Sequence, residues 1–176
     1  DKATLSVTAD NKTRTYGQNN PAFTATIEGF VNNETLSTAG LLGQASLTTV
    51  ASSGSGVGTY SIQAAAGTLA SANYNFVFKS GTLTVDKASL TITADNKSRT
   101  YGVANPALTV TYDGFVNGDN LNTNGVSGQV SITTAATPTS KVGSYPITLS
   151  QGTFAAGNYN LQFKNGTLAI DKATVK

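Results

Sequence analysis

Few side chains in this sequence could do chemistry, and their types narrow what that chemistry would be. The 176 residues hold nine acids and eleven basic residues, with no His, Cys, Met or Trp. Without imidazole or thiol, zinc, haem and thiol chemistries lack their usual ligands, and Ser–His or Cys–His activation of a nucleophile is unavailable. Carboxylates remain. Asp10-Asn11, Asp95-Asn96, Asp86, Asp113 and Asp119-Asn120 offer oxygens that a calcium ion would take. Calcium requires about six to eight oxygens with several carboxylates converging. These acids are spread singly, so they are weak metal candidates and no cofactor is expected. Asp10 and Asp95 are read as turn residues bonding their own backbone. The same scatter leaves no carboxylate pair for glycoside hydrolysis. No catalytic residue is assigned, and the chain is not expected to be an enzyme.

Other residue types raise binding chemistry. Lys79 and Lys164 recur beside Asn73 and Asn158, the pairing of a Lys–Asn isopeptide crosslink, but strand alternation from Phe78 turns Lys79 outward. Thr-x-Thr pairs would suit an ice-binding ladder if they were flat and regular. They fall instead on different strands of a twisted sheet, where Thr is an ordinary solvent-face residue. Tyr16/Tyr101, Phe30/Phe115, Tyr60/Tyr145, Tyr74/Tyr159 and Phe78/Phe163 recur at one offset. They could be sugar-stacking platforms, but each copy needs its own core, so packing is their expected role. Tyr16 stands apart: Tyr-Gly before Asn-Pro suggests a loop, and loops carry function more often than strands. Basic residues lie singly (Lys12, Arg14, Lys79, Lys97, Arg99, Lys164), with no run or stripe to neutralise phosphates. Nucleic acid is not an expected partner. No apolar run approaches the roughly 20 residues of a transmembrane helix, so membrane insertion is not expected, and the first residues carry no signal-peptide pattern.

Repetition organises all of these positions. Placed with Asp1 on Asp86, the two halves align without a gap to Val85 and Ile170. Roughly half of the paired positions are identical. Apolar positions change conservatively (Val7/Ile92, Phe23/Leu108, Leu47/Ile132), while polar ones drift (Gln18/Val103, Gln63/Thr148). Asp171-Lys172-Ala173 begins the pattern a third time. The expected organisation is therefore one module over 1–85, a second over 86–170 and the start of a third over 171–176, within a repeat that continues.

Within a module the apolar period is two, the signature of half-buried strands. Leu5, Val7 and Ala9 alternate with Ser6 and Thr8; Phe23 to Ile27, Gln44 to Val50 and Tyr60 to Ala64 read as further strands. Asn75 to Lys79 is expected to turn at Ser80-Gly81 into Thr82 to Val85, and Asn165-Gly166 at the matching place is a strong hairpin signal. Val57-Gly58-Thr59-Tyr60 and Ala72-Asn73-Tyr74 each open a strand, and either tyrosine could form the corner found in Ig-like sandwiches. The expected fold is all-β: two tandem Ig-like β-sandwich modules, end to end. A β-grasp-like module with one short helix over 32–41 is the alternative. Thr82 to Ile92 holds no Gly, Pro or Ser-rich linker, which limits bending between modules.

The ordered motifs are specific. Leu-x-Val/Ile-Thr-Ala-Asp-Asn-Lys-x-Arg-Thr-Tyr-Gly (Leu5 to Gly17, Leu90 to Gly102) is followed in the first copy by Asn20-Pro21-Ala22 and Gly29-Phe30-Val31-Asn32. Val57-Gly58-x-Tyr60, Asn73-Tyr74 and Gly81-Thr82-Leu83 come after them. Together these resemble the MBG repeat of YGX type across essentially the whole chain. The resemblance implies a tandem repeat of large bacterial secreted adhesins and haemagglutinin-like surface proteins, with no catalytic residue to carry over. It implies an extracellular, cell-surface location and a stalk that projects a distal binding domain in adhesion or biofilm formation. Neighbouring repeats of the same chain are the expected partners. Direct recognition of surface glycan or protein by loops around Tyr16 or Asn32 to Gly43 is the alternative.

Overall fold

A strand that alternates apolar with hydroxyl side chains turns one face to a core and the other to water. In the computed structural model, which describes residues 1–174, Leu5, Val7 and Ala9 are buried on β1 (Ala3–Ala9) in this way. The chain divides into two units, one ending at Asp86 and the other beginning at Lys87. Each is a two-layer β-sandwich, and no helix occurs among the described residues. Val175 and Lys176, at the end of the expected third start, lie outside the described residues.

In the first unit β1 is followed by β2 (Lys12–Thr15), β3 (Ala25–Glu28), β4 (Ser46–Thr48), β5 (Gly58–Ala65), β6 (Tyr74–Lys79) and β7 (Gly81–Asp86). One sheet has the order β3-β1-β6 and the other β2-β7-β5-β4. The second unit repeats the plan with β8 (Ala88–Ala94), β9 (Lys97–Thr100), β10 (Val110–Asp113), β11 (Val126–Ser127), β12 (Ser131–Thr134), β13 (Gly143–Ser150), β14 (Ala155–Ala156), β15 (Tyr159–Lys164) and β16 (Gly166–Asp171). Its sheets are β10-β8-β15 and β12-β13-β16-β9, with a small β11-β14 pair where the first unit has a single bridge, Leu42 to Ala70. Between the layers of the first unit, Leu5, Ala39 and Tyr74 form one core cluster. Ala9, Ala51, Ile62 and Leu83 form another. Burying a side chain the size of Ile62 or Leu83 stabilises the fold by about 1.5–3 kcal/mol.

Two parallel pairings define the module. β1 runs parallel to β6 from Ala3 opposite Tyr74 to Thr8 opposite Lys79. β2 runs parallel to β7 from Lys12 opposite Leu83 to Thr15 opposite Asp86. Between them, the Asn11 side-chain carbonyl accepts the Thr82 N–H at 2.8 Å, across the same separation of 71 residues. The register is continuous, so both pairings belong to one long ribbon. It leaves one sheet and enters the other at a corner, with Asp10-Asn11 opposite Gly81-Thr82, as strands do when they switch layers of a sandwich. Gly81 is dictated by crowding there: a Cβ would sit 2.3 Å from the Ala9 carbonyl oxygen. The second unit builds the same corner, with Asn96 accepting the Thr167 N–H at 2.8 Å. A Cβ on Gly166 would lie 2.4 Å from the Ala94 carbonyl oxygen.

This corner corrects the hairpins expected at Ser80-Gly81 and Asn165-Gly166. β6 and β7 lie in different sheets and do not pair with each other. Asn165 lacks the positive φ that a type I′ turn demands. The consecutive left-handed residues are instead Asn32 and Asn33 (φ 55° and 58°) and Asn117 and Gly118 (φ 61° and 79°). There the Glu34 and Asp119 N–H groups return to the Val31 and Val116 carbonyls at 3.0 Å. Two successive left-handed residues interrupt a right-handed helix, which explains why 32–41 forms turns and the β-grasp-like alternative is not adopted.

Gly81→Ala should destabilise the first module by about 2–3 kcal/mol, because the Ala9 backbone must shift to admit a methyl group. Gly157→Ala, where a Cβ meets nothing within 4 Å, should change stability by less than about 1 kcal/mol. Hydrogen exchange read by mass spectrometry on the whole chain checks both. Faster exchange confined to the first module is expected for the first variant only.

Candidate functional site

Lys12-Thr13-Arg14-Thr15 contains no apolar residue, so alternation gives no sign of β2. Its inward position is filled by Arg14, which is only 5% exposed, as Arg99 is 7% exposed on β9. These two basic residues, which lie singly in the sequence, are part of the interior. The Arg14 Nε donates to Asn20 Oδ1 at 2.8 Å, Nη2 to the Ser52 carbonyl and Nη1 to the Thr15 carbonyl at 3.4 Å. Asn20 Nδ2 in turn donates to the Ala51 carbonyl at 2.7 Å. The second copy repeats each bond. Arg99 donates to Asn105 Oδ1 at 2.7 Å, the Thr137 carbonyl at 2.6 Å and the Thr100 carbonyl at 3.2 Å. Asn105 donates to the Ala136 carbonyl at 2.6 Å. The rigid fork of the guanidinium suits several fixed acceptors at once. Here it is turned onto amide and carbonyl oxygens of the protein, tying edge strand β2 to the Asn20-Pro21 loop and to residues 51–52.

The carboxylates are also engaged. Asp10 accepts from Thr24 Oγ1 at 2.5 Å and Thr26 Oγ1 at 2.7 Å, and Asp95 accepts from Thr109 and Thr111 at the same distances. Rather than bonding their own backbone as a turn residue would, both reach the next strand. The hydroxyl bonds, the first threonine foremost, hold both carboxyls below the ordinary aspartate range. Asp119 accepts the Tyr159 hydroxyl at 2.6 Å. Among the described residues no group of three or more acids gathers as a metal site would require. No three of Asp10, Asp86, Asp95, Asp113 and Asp119 accordingly converge.

One of the two tyrosine motifs makes the corner. Tyr60 and Tyr145 donate to carbonyls four residues upstream, Gly56 and Lys141, each at 2.9 Å. Tyr74 is buried, accepts the Val31 N–H at 3.2 Å and donates to Glu34. Glu34 raises its pKa by holding the phenol proton. Tyr159 likewise accepts the Val116 N–H at 3.2 Å and donates to Asp119. The left-handed turn at Asn32-Asn33 and Asn117-Gly118 delivers that acid, an assignment sequence reasoning missed. Phe30 and Phe115 meet these rings edge-on, at 6.0 Å and 81° and at 5.4 Å and 84°. Phe78 and Phe163 are half-buried, and Lys79 and Lys164 are exposed as alternation requires. Tyr16 is buried but Tyr101 is 47% exposed, although their N–H groups bond alike to the Asp86 and Asp171 carbonyls at 2.8 Å. Tyr101 thus departs from the core role expected of it.

One concavity recurs in both modules, between the edge strands of the two layers and beneath the loop that follows the left-handed turn. In the first it holds about 490 Å³, lined among others by Phe23, Ile27, Leu36 and Leu69. In the second it holds about 510 Å³, with Leu108, Tyr112, Leu121 and Phe154 at the matching positions. Leu36 and Leu121 are 62% and 50% exposed at its rim.

Arg14→Lys should destabilise the first module by about 2–4 kcal/mol, because an ammonium cannot reach the same three acceptors and leaves buried oxygens unpaired. Urea unfolding against the wild type and Arg99→Lys would measure it, and a change under about 0.5 kcal/mol would contradict the tie. The aspartates predict a pH dependence. Their folded pKa lies below the unfolded value of 3.8, so their stabilisation is complete above that value and fades as pH falls through the folded pKa. The melting-temperature gap between wild type and Asp10→Asn/Asp95→Asn should be flat at neutral pH and shrink below about pH 4.

A search of curated proteins finds no match to the chain. A family model, the MBG domain of YGX type, matches twice in tandem, over residues 5–84 and 90–169. MBG repeats are structural domains that occur in extracellular surface proteins. No helix among the described residues is long and apolar enough to cross a membrane. With the corner, the buried arginine and the paired tyrosines present in both copies, and the match covering most of its length, the chain belongs to the MBG domain family, YGX type.

Proposed function

We propose that this chain is spacer material of a bacterial cell-surface or secreted adhesin, in which repeated modules hold a distal binding domain away from the cell in adhesion or biofilm formation. The observation that carries this reading is the parallel register of the ribbon. The chain comes into a module at Ala3, at one end of the ribbon, and leaves it at Asp86, opposite Thr15 at the other end. Each copy therefore advances the chain instead of returning it beside its start. Lys87 alone lies between β7 and β8. A low charge content of 11% and solvent-facing Thr and Asn suit a shaft that is soluble without recruiting ions or nucleic acid. Membership in a family of extracellular repeat domains supports an exported location.

A second reading, direct recognition of a glycan or partner protein, draws support from the apolar concavity that recurs in both modules. One experiment separates the two. An epitope is placed at the end of one, two or four modules tethered to a surface, and its height is measured by interference microscopy. The spacer reading expects an increment of about 30 Å for each module and is overturned by a height independent of copy number. Capture of host cells by the modules without the epitope domain, lost on Leu36→Asp with Leu121→Asp, would favour the second reading.

A further inference from the structure

We propose that each module is a shear-loaded clamp: tension carried along the chain is borne by the parallel ribbon, with all its rungs strained together. The inference rests on the spacer reading, since only a chain held at both ends is under tension. Force applied at the two ends of a module acts on the start of β1 and the end of β7. Those strands belong to the two halves of one parallel ribbon, so the pull slides one half along the other, along the strands and across the slanted inter-strand hydrogen bonds. The paired positions run from Ala3–Tyr74 to Thr8–Lys79 and on from Lys12–Leu83 to Thr15–Asp86. A sliding load must break these together, whereas a load across the ladder breaks them in turn.

Several features strengthen the ribbon against sliding. Both loaded strands are interior: β1 lies between β3 and β6, and β7 between β2 and β5. The ribbon is continued at its two ends by the Ala3 N–H on the Asn73 carbonyl at 3.1 Å and the Tyr16 N–H on the Asp86 carbonyl at 2.8 Å. At the corner, where the backbone ladder is interrupted, Asn11 bridges to the Thr82 N–H at 2.8 Å. The short edge strand β2, which would otherwise peel, is tied to the loops at Asn20 and Ser52 through Arg14. The second module has the same arrangement, from Ala88–Tyr159 to Asp171–Thr100, with the Tyr101 N–H on the Asp171 carbonyl at 2.8 Å. This gives a common purpose to corner, arginine and ribbon, whereas a module needed only for bulk would be served equally by antiparallel terminal strands.

The chain has no cysteine, so thiol handles can be placed without background. In the whole chain, Lys2→Cys with Lys87→Cys loads the first module in shear. Lys2→Cys with Asn73→Cys pulls β1 and β6 apart from their shared end. All three positions are exposed, and thermal melts verify that both variants fold. In single-molecule force spectroscopy at one pulling speed, the shear pair is expected to unfold at a force at least about twofold higher, because its rungs act together. Asn11→Ala should lower the shear force and leave the peeling force unchanged. Equal forces in the two geometries, or an equal loss in both on Asn11→Ala, would overturn the clamp. Either result leaves the height increments of the spacer experiment untouched, and absent increments with a twofold force ratio would sink the spacer reading alone.

Discussion

The parallel ribbon formed by the first and last strand segments of each module is the constraint on which the rest depends. Parallel neighbours cannot be joined by a tight turn and need a long crossover. Here the crossover contains every other strand of the module. Once β1–β2 and β6–β7 are in register, both layers of the sandwich are defined, because the ribbon contributes two strands to each. The corner then has to be tight. A glycine must stand where the Ala9 carbonyl presses on it, and an asparagine must supply the acceptor that the interrupted ladder lacks for the Thr82 N–H. Contacts of such long separation are slow to form, since closing the loop precedes most of the stabilisation it brings.

The interior is held by polar groups as well as apolar ones, and almost none of them is a charge pair. Arg14 and Arg99 carry their charges into the sandwich with neutral oxygens as acceptors. A delocalised, weakly hydrated cation tolerates this better than an ammonium would. The tyrosine hydroxyls and the asparagine amides work in the same way, each satisfying a group that burial or a chain reversal would otherwise strand, while the aspartate–threonine bonds brace neighbouring strands at the surface. What results is a module with specific, directional ties and a surface nearly free of strong fields.

The two copies act as an internal control on these assignments. Glu34 in one and Asp119 in the other differ by a methylene, yet both receive the phenol proton of the tyrosine that opens β6 or β15. Ile27 and Leu69 are replaced by Tyr112 and Phe154, whose rings pack at 5.4 Å in the same part of the core. Position and bonding partner persist through such exchanges while size and exact chemistry drift. Volume-tolerant packing around unchanged hydrogen bonds is what keeps one fold through many substitutions.

By itself, the sequence determined the repeat, the all-β class, the inward face of β1 and β8, the outward lysines and the family, because each is written in local periodicity or in motif order. It also pointed to the two tyrosine motifs, without saying what their hydroxyls would meet. The tertiary structure alone decided the rest. β2 was invisible because its core-facing residue is an arginine, which alternation counts as solvent-facing. Ser80-Gly81 and Asn165-Gly166 looked like hairpin turns because glycine's uses, positive φ and close approach, are indistinguishable in one dimension. Only the register of strands 71 residues apart shows that the glycine makes room for a neighbour's carbonyl. The segment 32–41, the helix of the β-grasp-like alternative, opens instead on a left-handed turn that brings Glu34 to the hydroxyl of distant Tyr74. Each of these depends on what a distant segment places beside the residue, and spacing along the chain carries no record of that neighbour.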